Sequence, residues 1–279
     1  MQVTIITICY NPGKTIIKTI ESVLAQSYSD YEYIIQDGGS TDGLLDILDT
    51  YREGFLKKGI SFHIYSGKDN GIYDAMNKAV AASQGEYINF MNAGDCFYSA
   101  DVLENIFNNE ENNNSDLLYG DAAEYEYGKY HLFRKSFSQI QSRMPFSHQS
   151  VFVKRKLLID NPFNTDYKIG ADYDFLLTMY DKGCSFKDTN SIVCIISKDG
   201  VSSVNLYDTY METLEIKSRH GIKKPNEDEL RKKYNEMKIK QLVMNYFPDF
   251  IKKAIRSYQL RVRKQNAELT LPPWENLLE

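Results

Sequence analysis

Asp37 opens the run Asp-Gly-Gly-Ser-Thr-Asp-Gly, Lys68 and Asp69 sit in Ser-Gly-Lys-Asp-Asn-Gly, and Asp95 closes Asn-Ala-Gly-Asp. Each of these polar segments directly follows an apolar run. Carboxylates alone repel a polyphosphate, but a divalent cation held among them inverts the local sign. Acidic turns gathered at one edge therefore suit a phosphorylated ligand carried on a metal ion. On this basis Asp95 is either a metal ligand or a turn residue bonded to its own backbone. Asp37 either accepts hydrogen bonds from a ribose or base, or forms an Asx turn that feeds a helix cap. Lys68 offers a point charge to a diphosphate or is simply solvated, and Asn77 and Lys78 carry the same ambiguity. Asp172 and Asp174, in Ala-Asp-Tyr-Asp-Phe-Leu-Leu, are candidates for a general base. The alternative is negative charge placed at a helix N-terminus, where the dipole favours it. His148, in Pro-Phe-Ser-His-Gln-Ser, could ligate a metal, grip a phosphate or serve a structural role.

Strands and helices must deliver these residues to one place. Val3 to Cys9 reads as a buried strand, and Ile16, Ile17, Ile20, Val23 and Leu24 then recur at helical spacing after Asn-Pro-Gly. The unit repeats. Tyr31 to Asp37 leads to a helix carrying Leu44, Leu45, Ile47 and Leu48, and Ile60 to Tyr65 leads to one carrying Ile72, Met76, Ala79 and Val80. A fourth strand, Glu86 to Met91, delivers Asn92 to Asp95. Alternation of this kind predicts an α/β fold with a doubly wound, mostly parallel sheet, in which ligands bind outside the carboxyl ends of the strands. Asp37, Lys68, Asp69 and Asp95 each lie just past a strand, so all should crowd the same edge.

Further along, Asn-Asn-Glu-Glu-Asn-Asn-Asn-Ser-Asp reads as a surface loop and Asp116 to Asp121 as a strand. Ala122 to Phe133 alternates like a β-hairpin, and Ser191 to Ser197 is a short buried strand. Tyr173, Leu176, Leu177 and Tyr180 define one helical face. Everything beyond about Asp208 reads as helical.

The 279 residues, 42% hydrophobic and 25% charged, suffice for one large domain or one plus a small appendage. No apolar stretch approaches the roughly 18 to 20 residues a membrane-spanning helix needs, and Met1 runs straight into a strand pattern, so a cytoplasmic chain is expected. Cys9, Cys96, Cys184 and Cys194 show no paired spacing and read as reduced cysteines, mostly within the core. The net charge of −5 hides a basic segment, Lys223 to Lys264, with 13 Lys/Arg against 5 Asp/Glu. Within it, Ile251, Ala254, Ile255, Tyr258 and Val262 line one face of a helix over Phe250 to Lys264. That helix either lies on an anionic membrane surface or docks on the catalytic domain. No RRM or finger signature supports nucleic acid as a partner. A nucleotide-dependent dehydrogenase is disfavoured because the first strand leads into Asn-Pro-Gly rather than G-x-G-x-x-G.

Taken in order, Thr-Ile-Cys-Tyr-Asn, Gln-Asp-Gly-Gly-Ser-Thr-Asp-Gly, Ser-Gly-Lys-Asp-Asn-Gly-Ile-Tyr-Asp-Ala-Met-Asn-Lys-Ala, Phe-Met-Asn-Ala-Gly-Asp, His-Gln-Ser and Ala-Asp-Tyr-Asp-Phe-Leu-Leu resemble the family 2 glycosyltransferases with a GT-A fold. The likeness spans about residues 1 to 200 and is greatest to the subgroup that builds bacterial cell-surface polysaccharides. It implies metal-dependent, inverting transfer of a sugar from a nucleotide-diphosphate donor to a hydroxyl of a glycan or lipid-linked acceptor, with Mn²⁺ or Mg²⁺ as cofactor. It further implies that Thr7, Tyr10 and Asn11 line the nucleotide pocket and that Asp37 holds the base or ribose. Lys68, Asp69, Asn92 and His148 lie near the donor, Asp95 ligates the metal, and Asp172 is the base. Asn92 and Gly94 stand where acidic residues are common, and Ala171 replaces a Glu. The thinned acidic motif keeps a non-catalytic nucleotide-sugar-binding or assembly module as the alternative. The expected organisation is a catalytic domain over 1–207 and a basic helical extension over 208–279, peripheral to the inner face of a membrane.

Overall fold

The computed structural model describes residues 1–112, 114–126, 129–197 and 206–246. The basic helix expected over Phe250 to Lys264 lies outside them.

Three strand–helix units and a fourth strand open the chain. They comprise β1 (Val3–Cys9), α1 (Thr15–Leu24), β2 (Tyr31–Asp37), α2 (Leu44–Lys57), β3 (Ser61–Ser66), α3 (Ile72–Ala82) and β4 (Tyr87–Phe90). β1 pairs in parallel with both β2 and β4, and β2 with β3, so the order is β3-β2-β1-β4. β1 and β2 are buried at every position, which is why they read as unbroken apolar runs. Alternate residues serve opposite layers. Val3, Ile5, Tyr33 and Ile35 pack with Ile16 and Ile20 of α1 and Leu48 of α2, while Ile6, Ile8 and Ile34 pack with Met76 and Ala79 of α3. Leu45 and Ile72, expected on buried faces, are exposed. Each lies in the first turn of its helix, and in α2 the neighbouring Leu44 is the one that turns into the core.

Beyond β4 the sheet turns mixed. The remaining elements are β5 (Cys96–Phe97), α4 (Val102–Phe107), β6 (Leu117–Glu126), β7 (Lys129–Phe133), β8 (Val151–Lys154), α5 (Arg155–Asp160), α6 (Ala171–Asp181), β9 (Phe186–Ser197), α7 (Leu206–Arg219) and α8 (Glu227–Tyr246). The order continues β8-β6-β9-β5, and β7 pairs with β6. β8 runs antiparallel to β4 and β6, while β9 runs parallel to β6. The hairpin expected over 122–133 forms as β6 and β7, but its first arm is continuous with the strand expected before it. β9 likewise reaches back to Phe186, because its polar arm Lys187-Asp188 pairs with Leu118-Tyr119 of β6.

Tyr173, Leu176 and Leu177 of α6 are buried, whereas Tyr180 at its far end reaches solvent. The four cysteines are free, and three of them are buried. No helix among the described residues is long and apolar enough to cross a membrane.

Candidate functional site

The turns after β1, β2 and β3 interlock. Asn11 takes a positive φ of 46°, a conformation Asn tolerates better than most side chains. Its backbone N–H donates to Ser40 Oγ at 2.7 Å, and its Oδ1 accepts from Thr41 N at 2.8 Å. Gly13 N donates to Asp42 Oδ2 at 2.7 Å. Asp37 is fully buried, and its carboxylate accepts from Ser40 N and Ser40 Oγ and, at 2.6 Å, from Ser66 Oγ. Asp37 thus forms the Asx-type turn and ties the ends of β2 and β3 together. Tyr10, by contrast, is 67% exposed, an aromatic face at the crevice rim. Gly38 explains how closely these turns approach: a Cβ there would stand 2.8 Å from Asp69 Oδ2 and 3.4 Å from Tyr10. Asp69 also accepts from Gly71 N at 3.0 Å, while Lys68 is exposed beside it. The Cys9 thiol beneath registers the crowding. Burial and then the charges of Asp37, Asp42 and Asp69 push it up to about 12.

Thr7 and Asn77 serve the frame. Thr7 is fully buried, its hydroxyl bonded to Tyr33 OH at 2.8 Å and to Met91 O at 2.7 Å. Asn77 exchanges two 2.9 Å bonds with the backbone of Phe163, fastening the loop before α6 onto α3.

On the other side of the crevice, residues distant in the chain converge. Asp95 N donates to Asn92 O at 3.0 Å, closing a turn at the end of β4. The 3₁₀ turn His148–Ser150 lies against it. Gln149 Nε2 donates to Asp95 Oδ2 at 2.6 Å, and Asn92 Nδ2 bonds His148 Nε2 at 2.9 Å. His148 Nδ1 stands 3.4 Å from Asp172 Oδ2 in the first turn of α6. Because an ionised carboxylate only accepts, Nδ1 is the nitrogen that donates toward Asp172. Asp172 Oδ1 accepts from Tyr173 N at 2.9 Å and faces Tyr73 OH at 3.3 Å. Burial raises the Asp172 carboxyl above the usual range, opposed by His148 and then by the Tyr173 N–H and Tyr73 OH. A carboxylate held this way is a stronger proton acceptor than one in water.

Asp174 is placed elsewhere. Helix positions two apart do not share a face, and Asp174 turns toward the chain after α7, where it accepts from His220 Nε2 at 3.1 Å. His220 Nδ1 bonds Asp181 at 2.6 Å. Glu212 of α7 accepts from the backbone N–H groups of Lys168, Ile169 and Gly170, each at 2.9 Å, just ahead of α6. Ile216 packs so closely that a Cβ on Gly170 would meet it at 2.7 Å. A cavity of about 1120 Å³, lined by Lys168, Ile169, Tyr207, Met211, Glu212 and Tyr234 among others, opens between the loop ahead of α6 and helices α7 and α8. The chemistry described above lies instead around Asp172.

Among the described residues no three of His, Cys, Asp and Glu come together as a metal cage. What the β4 turn offers is one buried carboxylate, Asp95, and the buried Oδ1 of Asn92, which has no hydrogen-bond partner. That pair is too small a set for a resident ion. It does fit a cation that takes most of its oxygens from a diphosphate and water, as Mg²⁺-like ions commonly do.

Gln149, Tyr73 and Glu212 were not singled out by the sequence. Their partners are distant in the chain, so no local spacing announces them.

The family model for glycosyl transferase family 2 matches residues 4–174, more than half of the chain. A PGL/p-HBAD biosynthesis glycosyltransferase of Mycobacterium bovis is 29% identical over 213 residues, covering 73% of this chain and 80% of its own length. Among solved structures, Staphylococcus aureus TarS in complex with UDP-GlcNAc superposes with a TM-score of 0.64 at 18% identity, over 79% of this chain. This chain spans 66% of that TarS chain. The mannosyltransferase PcManGT of Pyrobaculum calidifontis, solved with GDP-Man and Mn²⁺, gives 0.60 at 18% identity, over 81% of this chain and 65% of that one. The family match covers more than half of the chain and the solved neighbours share its fold, so the chain belongs to glycosyltransferase family 2, with the GT-A fold.

Proposed function

We propose that the chain is an inverting glycosyltransferase that moves a sugar from a nucleotide-diphosphate donor to a hydroxyl of a glycan or lipid-linked acceptor, in the building of surface polysaccharide. One observation carries the reading. Adjacent residues of a single turn, His148 and Gln149, bond the two carboxylates the chemistry needs, Asp172 and Asp95.

In this reading the nucleotide lies across the interlocked turns, with Tyr10 against the base and Asp69 and Lys68 at the rim. Asp37 contributes by holding those turns rather than by reaching into the crevice. The diphosphate sits at the β4 turn, where Asp95 and the Asn92 amide oxygen would hold Mn²⁺ or Mg²⁺. When bound, that ion neutralises charge on the departing diphosphate. The acceptor hydroxyl approaches the opposite face of the sugar and passes its proton to Asp172. The bond from acceptor oxygen to anomeric carbon forms as the bond to the phosphate oxygen breaks, and attack opposite the leaving group inverts the anomeric centre. His148 keeps Asp172 oriented, and Tyr73 and the Tyr173 N–H hold its other oxygen. The basic segment Lys223 to Lys264 suits a peripheral position at an anionic membrane.

A panel of UDP-, GDP- and dTDP-sugars, each with Mn²⁺ or with chelator, tests the reading by the melting temperature. At least one donor is expected to raise it with metal, by the mass-action stabilisation any native-state ligand gives. A rise of equal size in chelator would contradict the cation's role.

A further inference from the structure

We propose that the His148–Ser150 turn is a positioning element that registers the donor-side carboxylate against the base, with Gln149 as its donor-side arm. The proposal rests on the reading of the site given above. Gln149 is buried, and its amide orientation is settled by chemistry. An ionised carboxylate can only accept, so Nε2 must face Asp95, which turns Oε1 toward the Ser147 hydroxyl that donates to it. One residue back, His148 faces Asp172. Two carboxylates far apart in sequence are thereby set by consecutive side chains.

The turn is itself held from both neighbouring strands. Asn89 of β4 donates to Gln149 O and Val151 O, each at 2.9 Å. The buried Ser150 hydroxyl lies 3.0 Å from Gly120 O of β6. Ser150 N closes the turn on Ser147 O at 3.0 Å. Positioning groups work when their own rotamers are locked in this way. The chemical type also matters. A neutral amide aims the Asp95 carboxylate without cancelling its charge, whereas Lys or Arg at position 149 would compete with an incoming cation.

Gln149→Met keeps the volume and removes the donor. Full-length wild-type and variant chains are titrated with UDP and with GDP, each in Mn²⁺ and in EDTA, by calorimetry. The variant is expected to lose about tenfold in Mn²⁺-dependent affinity, the worth of one hydrogen bond to a charged acceptor, with metal-free nucleotide affinity unchanged. Ser147→Ala, which leaves the donor but releases the amide, should weaken binding in the same selective way by about threefold. Equal Mn²⁺-dependent affinity in wild type and Gln149→Met overturns the proposal. An equal loss with and without Mn²⁺ also overturns it, because that is the mark of a collapsed turn. Wild-type binding of neither nucleotide would overturn the donor reading itself, and this proposal with it.

Discussion

Glu212 links the helix after β9 to the base, and Glu212→Gln tests that link. The carboxylate Oε1 accepts from Lys168 N, and Oε2 accepts from Ile169 N and Gly170 N. An amide can keep its oxygen on the latter pair, but its NH₂ then faces the Lys168 N–H, donor against donor. One charge-assisted bond is lost, worth about 1.5–3 kcal/mol, along with the favourable charge at a helix N-terminus, about 0.3–1 kcal/mol. Because Glu212 is only half-buried, the lower end applies, about 2 kcal/mol. For a chain of this size that lowers Tm by about 4 °C. Activity should fall further than stability. Ile169 O receives the Tyr73 hydroxyl that also faces Asp172, so a loosened 168–170 segment moves the base, and misplacement by about 1 Å can cost on the order of 100-fold. Differential scanning calorimetry and steady-state transfer kinetics read the two effects, and Mn²⁺–nucleotide affinity should stay as in wild type. An unchanged Tm, or a kcat equal to wild type, would refute the reasoning.

Two further substitutions probe the walls of the crevice. Tyr73→Phe removes a hydroxyl that holds Asp172 below the value burial alone would impose. The carboxyl therefore rises further, a higher pH is needed to ionise it, and the acid limb of the kcat profile shifts to higher pH; a shift to lower pH would contradict the assignment. Gly38→Ala places a methyl 2.8 Å from the Asp69 carboxylate. Because a short side chain can yield, thermal scans should show less than about 1 kcal/mol lost, whereas nucleotide affinity by calorimetry should fall about tenfold as Asp69 and Tyr10 are displaced.

Much of the first half of the fold was legible because buried parallel strands announce themselves. Val3–Cys9 and Tyr31–Asp37 read as continuous apolar runs and are buried at every residue. The strand ends then located the crevice, because a parallel sheet sends successive turns to one edge. The mixed half was less legible. The polar arm of β9 looked like loop because its pairing with β6 is set by tertiary contact rather than by its own alternation. Within the candidate site, the strand end at which a residue lies was easier to read than its hydrogen-bond partners. Asp37 stood at the right edge, yet its carboxylate is occupied by Ser40 and Ser66, and Thr7 is folded into the sheet. By residue type and helix position alone Asp172 and Asp174 look alike, and only the family resemblance singled out Asp172. In the structure their surroundings differ: His220, after α7, meets Asp174, and the His148 turn meets Asp172.

The central claim is that Asp172 accepts the acceptor's proton across the sugar from a diphosphate held at Asp95. Asp172→Asn keeps the shape and removes the proton acceptor, so the most direct test scores this variant for sugar transfer and for Mn²⁺–nucleotide affinity with the best donor from the panel. Affinity within about twofold of wild type, with transfer reduced by at least about 1,000-fold, is the expected result. Transfer persisting at a comparable rate would show that the proton goes elsewhere and would contradict the account.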